Sequence, residues 1–169
     1  MADARVDLVK EVAQVGEDII HSDRFDKAKR VPHHSKSGNI ACHSLETATY
    51  ALGITRWLSS HGVHIDENDV VRASLLHDIG MTEDDVFLSP SRKKAYSHPK
   101  EGSRIAAEEF GANSVQLDAI KRHMWPIGIV TPRYATGWVV VAADKLCSMK
   151  EVRREAAKKV RDYARKRHS

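Results

Sequence analysis

The segment RASLLHDIGMTEDD places a histidine and an aspartate side by side at the end of an apolar run. Burying two ionisable groups there costs free energy unless something compensates them. Neutral imidazole and carboxylate together suit iron, manganese, cobalt, nickel or zinc better than calcium or magnesium, which prefer oxygen ligands. Six residues of these two types, from five separate segments, are therefore candidate metal ligands: His43, His77, Asp78, His98, His123 and Asp144.

An aspartate next to a histidine can bridge two metal ions while the other groups complete both coordination spheres. Such a pair would activate a water molecule between the metals and bind an anionic substrate. Taken alone, each histidine also fits a surface or hydrogen-bonded core residue. His77 follows ASLL and Asp144 follows VVVAA, apolar contexts that would expel an unpaired charge. The combination indicates a metal site. Four other histidines are interpreted as surface or hydrogen-bonded core residues: His21, His61, His64 and His168.

Helical elements are predicted to carry these residues. Loops are expected over VPHHSKSGNI, LSPSRKKAYSHP and WPIGIVTPRYATG, where proline, glycine and serine gather. The run GWVVVAADKLCSM could be a strand, but its length and its AADKL continuation favour a buried helix. Apolar residues recur at helical spacing in two stripes: Val6, Val9, Ala13 and Ile20, then Leu45, Ala48, Leu52 and Leu58.

Capping and stop signals mark the helix ends. Asp66 or Asn68 is a plausible cap for a third helix, and Ser114 can cap VQLDAIKRHM. Pro99 suits a first helical turn and Gly111 a C-terminal stop. On this scheme His43 begins a helix, His77 and Asp78 end another, His98 precedes a helix start, His123 closes the next helix, and Asp144 lies inside the Val-rich one.

A length of 169 residues predicts a single domain over residues 1–169, which ends in a basic helix over 150–169. Cys42 and Cys147 form no CxxC pair, so a disulfide framework is not expected. The predicted location is therefore the reducing cytoplasm. No apolar run approaches the roughly 18 residues that span a bilayer, so no membrane partner is expected.

The net charge of +4 is concentrated in the last 20 residues, which carry +6 and leave −2 for the rest. A basic terminal helix of this kind is usually exposed to solvent. Tyr163 is the one aromatic residue among its charges, whereas nucleic-acid-binding segments often interleave several. Nucleic-acid binding is therefore not predicted. The sequence does not indicate an oligomeric state.

The order His43, then His77-Asp78, then Asp144 resembles the metal-binding signature of the HD-domain superfamily, of which LLHDIG is a recognisable form. The resemblance covers about residues 15–150, the core of the predicted domain. It implies an all-α helical bundle and metal-dependent phosphoester hydrolysis, often of nucleotides. SHPKEG and KRHMWP, around His98 and His123, are similar to the extra ligands of the dinuclear subclass that includes the HD-GYP phosphodiesterases. The implied cofactors are two divalent transition-metal ions, with Asp78 bridging them.

The chain departs from the HD-GYP pattern at several positions. Met81 stands where that subclass has a lysine, which leaves the general acid unassigned, and HMWPIGIVTPRY replaces its second His, Glu and Gly-Tyr-Pro turn. Asp144 lies only 21 residues after His123, which leaves little room for an inserted substrate-binding element. The predicted substrate is therefore a small phosphorylated molecule, such as a nucleotide, rather than a cyclic dinucleotide.

Other residues are predicted to contact the substrate. The loop before the first ligand resembles a His-containing loop of many HD proteins, so His34 either donates to a phosphate or shuttles a proton, or is an exposed loop residue. Lys94, Arg133 and Lys145 are candidates for neutralising phosphate oxygens.

Two other functions compete with hydrolysis. Proteins of the same fold and ligand set, such as myo-inositol oxygenase and phosphonate-cleaving oxygenases, use a mixed-valence diiron pair to activate dioxygen. A nucleotide-sensing module without catalysis is the second rival, although the presence of all six ligand types argues against it. The ligands alone do not separate the hydrolase from the oxygenase.

Overall fold

The computed structural model describes residues 2–33, 35–83 and 91–167. The described elements confirm the predicted all-α fold class and add a short β ribbon. In chain order they are α1 (Ala2–Val15), α2 (Glu17–Ile20), α3 (Asp23–Ala28), β1 (Pro32–His33), β2 (Ser35–Asn39), α4 (Ile40–Ser60), α5 (Glu67–Leu76), a 3-10 turn (Ile79–Thr82), α6 (Ser91–Phe110), α7 (Ser114–Arg122) and α8 (Ala135–Arg167).

Helix α4 is central to the packing and contacts α1, α5 and α8. Its buried face contains Ala41, Ala48 and Ala51, and the size of such contact residues sets the distance between helix axes. Leu75 and Leu76, at the end of α5, are fully buried. This packing places the start of α4, the end of α5 and the middle of α8 in one region of the interior.

Three helix boundaries test the predicted signals. Asp66 caps α5, because its side chain accepts a hydrogen bond of 2.8 Å from the backbone N–H three residues later. Gly111 follows α6 with a positive φ of 59°, as the predicted stop requires. The predicted cap of α7 is wrong: Asn113, in extended conformation, forms a reciprocal capping box with Gln116, and Ser114 is the first helical residue.

The predicted loop VPHHSKSGNI contains an antiparallel ribbon instead. Pro32 lies opposite Asn39, and His33 lies opposite Ser35. Asn39 then caps α4 by accepting a hydrogen bond of 2.9 Å from the backbone N–H of Cys42. Pairing satisfies backbone groups within the segment, and it holds His33 beside the first turn of α4.

Helix α6 begins earlier than the sequence predicts. It runs from Ser91, so residues 91–99 do not form the predicted loop, and Pro99 lies inside the helix rather than in its first turn. His98 is consequently a helical residue, not one that precedes a helix. The helix packs closely against the Ile79–Thr82 turn, and this tertiary contact outweighs the one backbone hydrogen bond that proline removes.

The first predicted apolar stripe is wrong in part. Val6 and Val9 are about half exposed, at 52% and 49%, whereas Val12 and Ile19 are buried. Leu8 and Val15 pack against the same core, so the buried stripe recurs at helical spacing on a different face of the segment from Val6 and Val9.

Helix α8 joins two predicted segments into one continuous element. Its first half contains the Val-rich run, where Val139 and Val140 are buried, which confirms the predicted buried helix. The described part of the basic C-terminal segment continues the same helix. Among the helices that the structure describes, none is long and apolar enough to span a membrane.

Candidate metal centre

The carboxylate of Asp78 lies at the centre of a group of histidines. Its Oδ1 is 3.3 Å from Nε2 of His98 and 3.4 Å from Nε2 of His123. Its Oδ2 is 3.4 Å from Nε2 of His77 and 3.3 Å from Nε2 of His33. The two oxygens of one carboxylate therefore face different imidazoles, an arrangement that suits a carboxylate shared by two metal ions.

A second carboxylate, that of Asp144, lies on the Oδ2 side of Asp78. Its Oδ1 is 3.2 Å from Nε2 of His43 and 3.9 Å from Nε2 of His77. The ligand-type atoms of His43, His77 and Asp144 lie within 4.8 Å of one another, as do those of His77, Asp78 and His123. With His98 beside Asp78, the structure brings all six sequence-predicted residues into one buried cluster.

Two of the histidines are oriented by the ends of their helices. His77 follows the last residue of α5, and its Nδ1 donates a hydrogen bond of 2.7 Å to the carbonyl oxygen of Ser74. His123 follows α7 in the same way, and its Nδ1 donates over 2.7 Å to the carbonyl of Ile120. Because a carbonyl oxygen only accepts, Nδ1 carries the proton, and in the neutral ring Nε2 presents its lone pair to the cluster.

The inward-facing nitrogens fit a cation. Nε2 of His77 is buried and has no hydrogen-bond partner among the described residues, an arrangement that costs about 1–3 kcal/mol when nothing compensates it. Nε2 of His98 and Nε2 of His123 lie only 3.1 Å apart. Imidazole nitrogens that converge with carboxylate oxygens form a donor set suited to divalent transition metals.

The two aspartates are ionised despite their burial. Burial raises the pKa of Asp78, but the surrounding imidazoles, His77 first and then His123, His33 and His98, hold it well below its ordinary value. Burial likewise opposes ionisation of Asp144, and the hydrogen bond with His43 together with nearby positive charges lowers its pKa. The cluster therefore carries two buried negative charges at neutral pH.

The same environment shifts the pKa values of two imidazoles in opposite directions. Burial lowers the pKa of His77 to about 4, so this ring is neutral at pH 7. Burial also acts against a charge on His43, but its hydrogen bonds with Asp144 and Glu151 raise its pKa to about 10. A metal ion that binds His43 would have to displace this proton.

The sequence analysis missed two residues that join the cluster, His33 and Glu151. Nδ1 of His33 is 3.2 Å from one carboxylate oxygen of Glu151, and Nδ1 of His43 is 3.0 Å from the other. Two sequence signals point to them: His33 is adjacent to His34, the predicted loop histidine, and Glu151 lies seven residues after Asp144. Seven residues are two helical turns, so both carboxylates lie on one face of α8.

Lys145 is close to the cluster, whereas Arg133 is not. Nζ of Lys145 lies 2.7 Å from Oδ2 of Asp144. The Arg133 side chain is 72% exposed, and its Nε is 3.9 Å from a carboxylate oxygen of Asp118. Met81, at the position of the HD-GYP lysine, is partly buried against the hydrophobic core. His34 and the side chain of Lys94 lie outside the described residues.

Comparison with models of protein families finds the HD domain over residues 40–149, a segment that contains all six predicted ligands. The chain belongs to the HD domain family. Membership indicates divalent-metal binding and a metal-dependent hydrolase type of function. The HD-domain match begins at the first residue of α4 and ends at residue 149. His33 therefore lies before the match and Glu151 lies after it. The chain matches none of the curated proteins and none of the solved structures with which it was compared.

A close contact between two backbones holds the Ile79–Thr82 turn against α6. A Cβ atom on Gly80 would lie 2.2 Å from the carbonyl oxygen of His98 and 2.5 Å from the backbone nitrogen of Gly102. Neither of these atoms can move without shifting α6. Glycine at position 80 therefore allows the approach that brings Asp78 to His98.

We expect Gly80→Ala to destabilise the protein by roughly 1–3 kcal/mol, the range typical of overpacking, and to weaken metal binding because it displaces His98. Urea unfolding and metal analysis measure the two effects. Gly53→Ala is the control, since its Cβ would meet only a Leu8 methyl at 3.7 Å and alanine favours the helix by about 1 kcal/mol. Wild-type stability and metal content in Gly80→Ala would contradict the steric argument.

Proposed function

We propose that this HD-domain protein is a phosphohydrolase that acts on a small phosphorylated substrate, such as a nucleotide. The observation that carries the proposal is the position of Asp78, whose two carboxylate oxygens face separate groups of imidazoles. In this assignment His43, His77, Asp78 and Asp144 would hold one ion, and Asp78, His98 and His123 would hold a second.

Two bound divalent ions would supply Lewis acidity toward a phosphoryl oxygen and would lower the pKa of water, which is the chemistry that phosphoester hydrolysis needs. The residues of the chain supply the fixed geometry. His77 and His123 are held by main-chain carbonyls, so their Nε2 atoms stay directed at the cluster. Asp78 and Asp144 remain ionised at neutral pH. Such preorganised charge lowers the reorganisation cost of a reaction.

Lys145 is our candidate for contact with a phosphate oxygen. Its ammonium group lies beside Asp144, and its side chain is 34% exposed, so it borders both the cluster and the solvent. An ammonium in this position can form charge-assisted hydrogen bonds with an anionic substrate. The phosphate contacts predicted for Lys94 and Arg133, and the phosphate or proton-transfer role predicted for His34, remain predictions.

The test combines metal analysis with a phosphate-release screen over nucleotides and sugar phosphates. We expect close to two transition-metal ions per chain when metal is not limiting, and phosphate release from a member of the panel. His98→Ala and His123→Ala should each reduce the content toward one ion per chain, because both contact the same oxygen of Asp78.

His64→Ala is the matched control, because this histidine is exposed and its ring contacts Ser59 rather than the cluster. It should keep the wild-type metal content. Saturation at one ion per chain, unchanged in His98→Ala and His123→Ala, would rule out the two-metal assignment. Two ions without phosphate release from any substrate would count against hydrolysis but not against the metal site.

A further inference from the structure

His33 lies in the cluster although it is absent from the six-residue set. It is 8% exposed and is the last residue of β1, a strand that contacts α4. Its Nε2 is 3.3 Å from Oδ2 of Asp78, the oxygen that also faces His77 and His43. The ligand-type atoms of His33, His43 and Asp78 lie within 4.8 Å of one another.

The ring of His33 is held in the same way as the rings of the proposed ligands. In His77 and His123, Nδ1 donates to a carbonyl oxygen and Nε2 points to Asp78. In His33, Nδ1 lies 3.2 Å from a carboxylate oxygen of Glu151, and Nε2 again points to Asp78. An ionised carboxylate only accepts, so Nδ1 of His33 is the donor and Nε2 is the atom directed at the cluster.

A single carboxylate orients two imidazoles here. The oxygens of Glu151 lie 3.2 Å from Nδ1 of His33 and 3.0 Å from Nδ1 of His43. The two rings are adjacent, with centroids 3.9 Å apart. A carboxylate on the far nitrogen fixes the ring orientation of a metal-binding histidine and raises its basicity. Because Glu151 and Asp144 share one face of α8, the helix that supplies a ligand also supplies this support.

We propose that His33 is a further metal ligand on the Oδ2 side of Asp78, and that Glu151 is a positioning residue that holds His33 and His43 toward the metal. The inference rests on the metal site proposed above and enlarges it. It predicts that the ion on this side contacts three imidazoles, those of His33, His43 and His77, rather than two.

The test uses the full chain loaded with cobalt(II), whose visible absorption reports the number and type of ligands. In His33→Phe an aromatic ring replaces the imidazole beside His43 without a nitrogen donor. We expect this variant to bind one of its two cobalt ions at least about 10-fold more weakly in chelator competition and to show an altered absorption spectrum. His33→Gln is a second variant for the case in which the phenylalanine is not accommodated. His64→Ala, at an exposed histidine, should match the wild type in both measurements.

The positioning role is tested with Glu151→Gln, which removes the charge but nearly keeps the shape. We expect cobalt affinity to fall about 10- to 100-fold and the absorption bands to shift, because the orientation and basicity of two rings change together. Glu155→Gln, one turn further along α8, is the matched control and should behave as wild type. Unfolding of the metal-free variants shows whether a loss of affinity merely reflects a loss of fold.

The outcomes separate this inference from the proposed function. If the wild type binds two cobalt ions and both His33→Phe and His33→Gln keep its affinity and spectrum, His33 is not a seventh ligand. That result would leave the six-residue site intact. An unchanged Glu151→Gln would overturn the positioning role. A wild-type protein that binds no cobalt would overturn the metal site itself, and this inference with it.

Discussion

Replacement of Asp78 by alanine is expected to reduce phosphate release by at least about 10³-fold and to remove metal from both positions. Both effects follow from one group, because the carboxylate faces His98 and His123 with one oxygen and His77 with the other. The substitution also deletes one of the two buried negative charges that offset the metal ions. Metal analysis and turnover on the same preparation measure both losses.

Two further variants make this result specific. Asp144→Ala should mainly empty the position on the side of His43 and His77, since its Oδ1 lies 3.2 Å and 3.9 Å from their Nε2 atoms. Asp26→Ala removes a surface aspartate, paired with Lys29 and 53% exposed, and should change neither metal content nor turnover. If Asp78→Ala retained wild-type turnover while folded by circular dichroism, the active site would have to lie elsewhere.

The six predicted ligands could be selected from the sequence because each is an unusual residue in its local pattern. His77 and Asp78 end an apolar helix, and Asp144 interrupts a Val-rich one, so burial was predictable for all three from periodicity alone. The sequence could not supply their separations, since these depend on how α4, α5 and α8 pack. The division of contacts between the two oxygens of Asp78 required the structure.

His33 and Glu151 were not predictable for a different reason. His33 reaches the cluster because Pro32–His33 pairs with Ser35–Asn39 as a ribbon. The glycine, proline and serine of that segment instead favour a loop when the sequence is considered alone. Glu151 lies in a segment rich in charge, where a glutamate is typical of a solvated helix face. Its role becomes visible once two imidazoles are seen to share its carboxylate.

The misplaced helix starts show where tertiary contacts override local signals. Proline favours the first turn of a helix, yet Pro99 lies inside α6, because residues before and after Pro99 contact the Ile79–Thr82 turn. The close approach of Gly80 to Gly102 belongs to that same interface. The interface also carries His98 to Asp78, so the feature that misled the sequence analysis helps to build the site.

The dependence of activity on the metal and on dioxygen separates a hydrolase from a diiron oxygenase. A phosphohydrolase uses its ions as Lewis acids, so manganese or cobalt should support activity without dioxygen. A diiron oxygenase needs iron that changes oxidation state, so it would lose activity with manganese and would stop under anaerobic conditions. For this protein we expect the manganese-loaded form to release phosphate from a small phosphomonoester or nucleotide in the absence of oxygen.

The measurement compares manganese-, cobalt- and iron-loaded protein in air and under anaerobic conditions, with phosphate release and oxygen consumption recorded together. The metal-loaded Asp78→Ala variant serves as the background in every condition, because a contaminating phosphatase would not depend on this carboxylate. Turnover that needs iron and consumes oxygen, together with a mixed-valence iron signal in electron paramagnetic resonance, would replace the hydrolase by an oxygenase. That result would leave the helical fold and the cluster around Asp78 unchanged, because the two reactions differ in the redox chemistry of the metal and not in the residues that hold it.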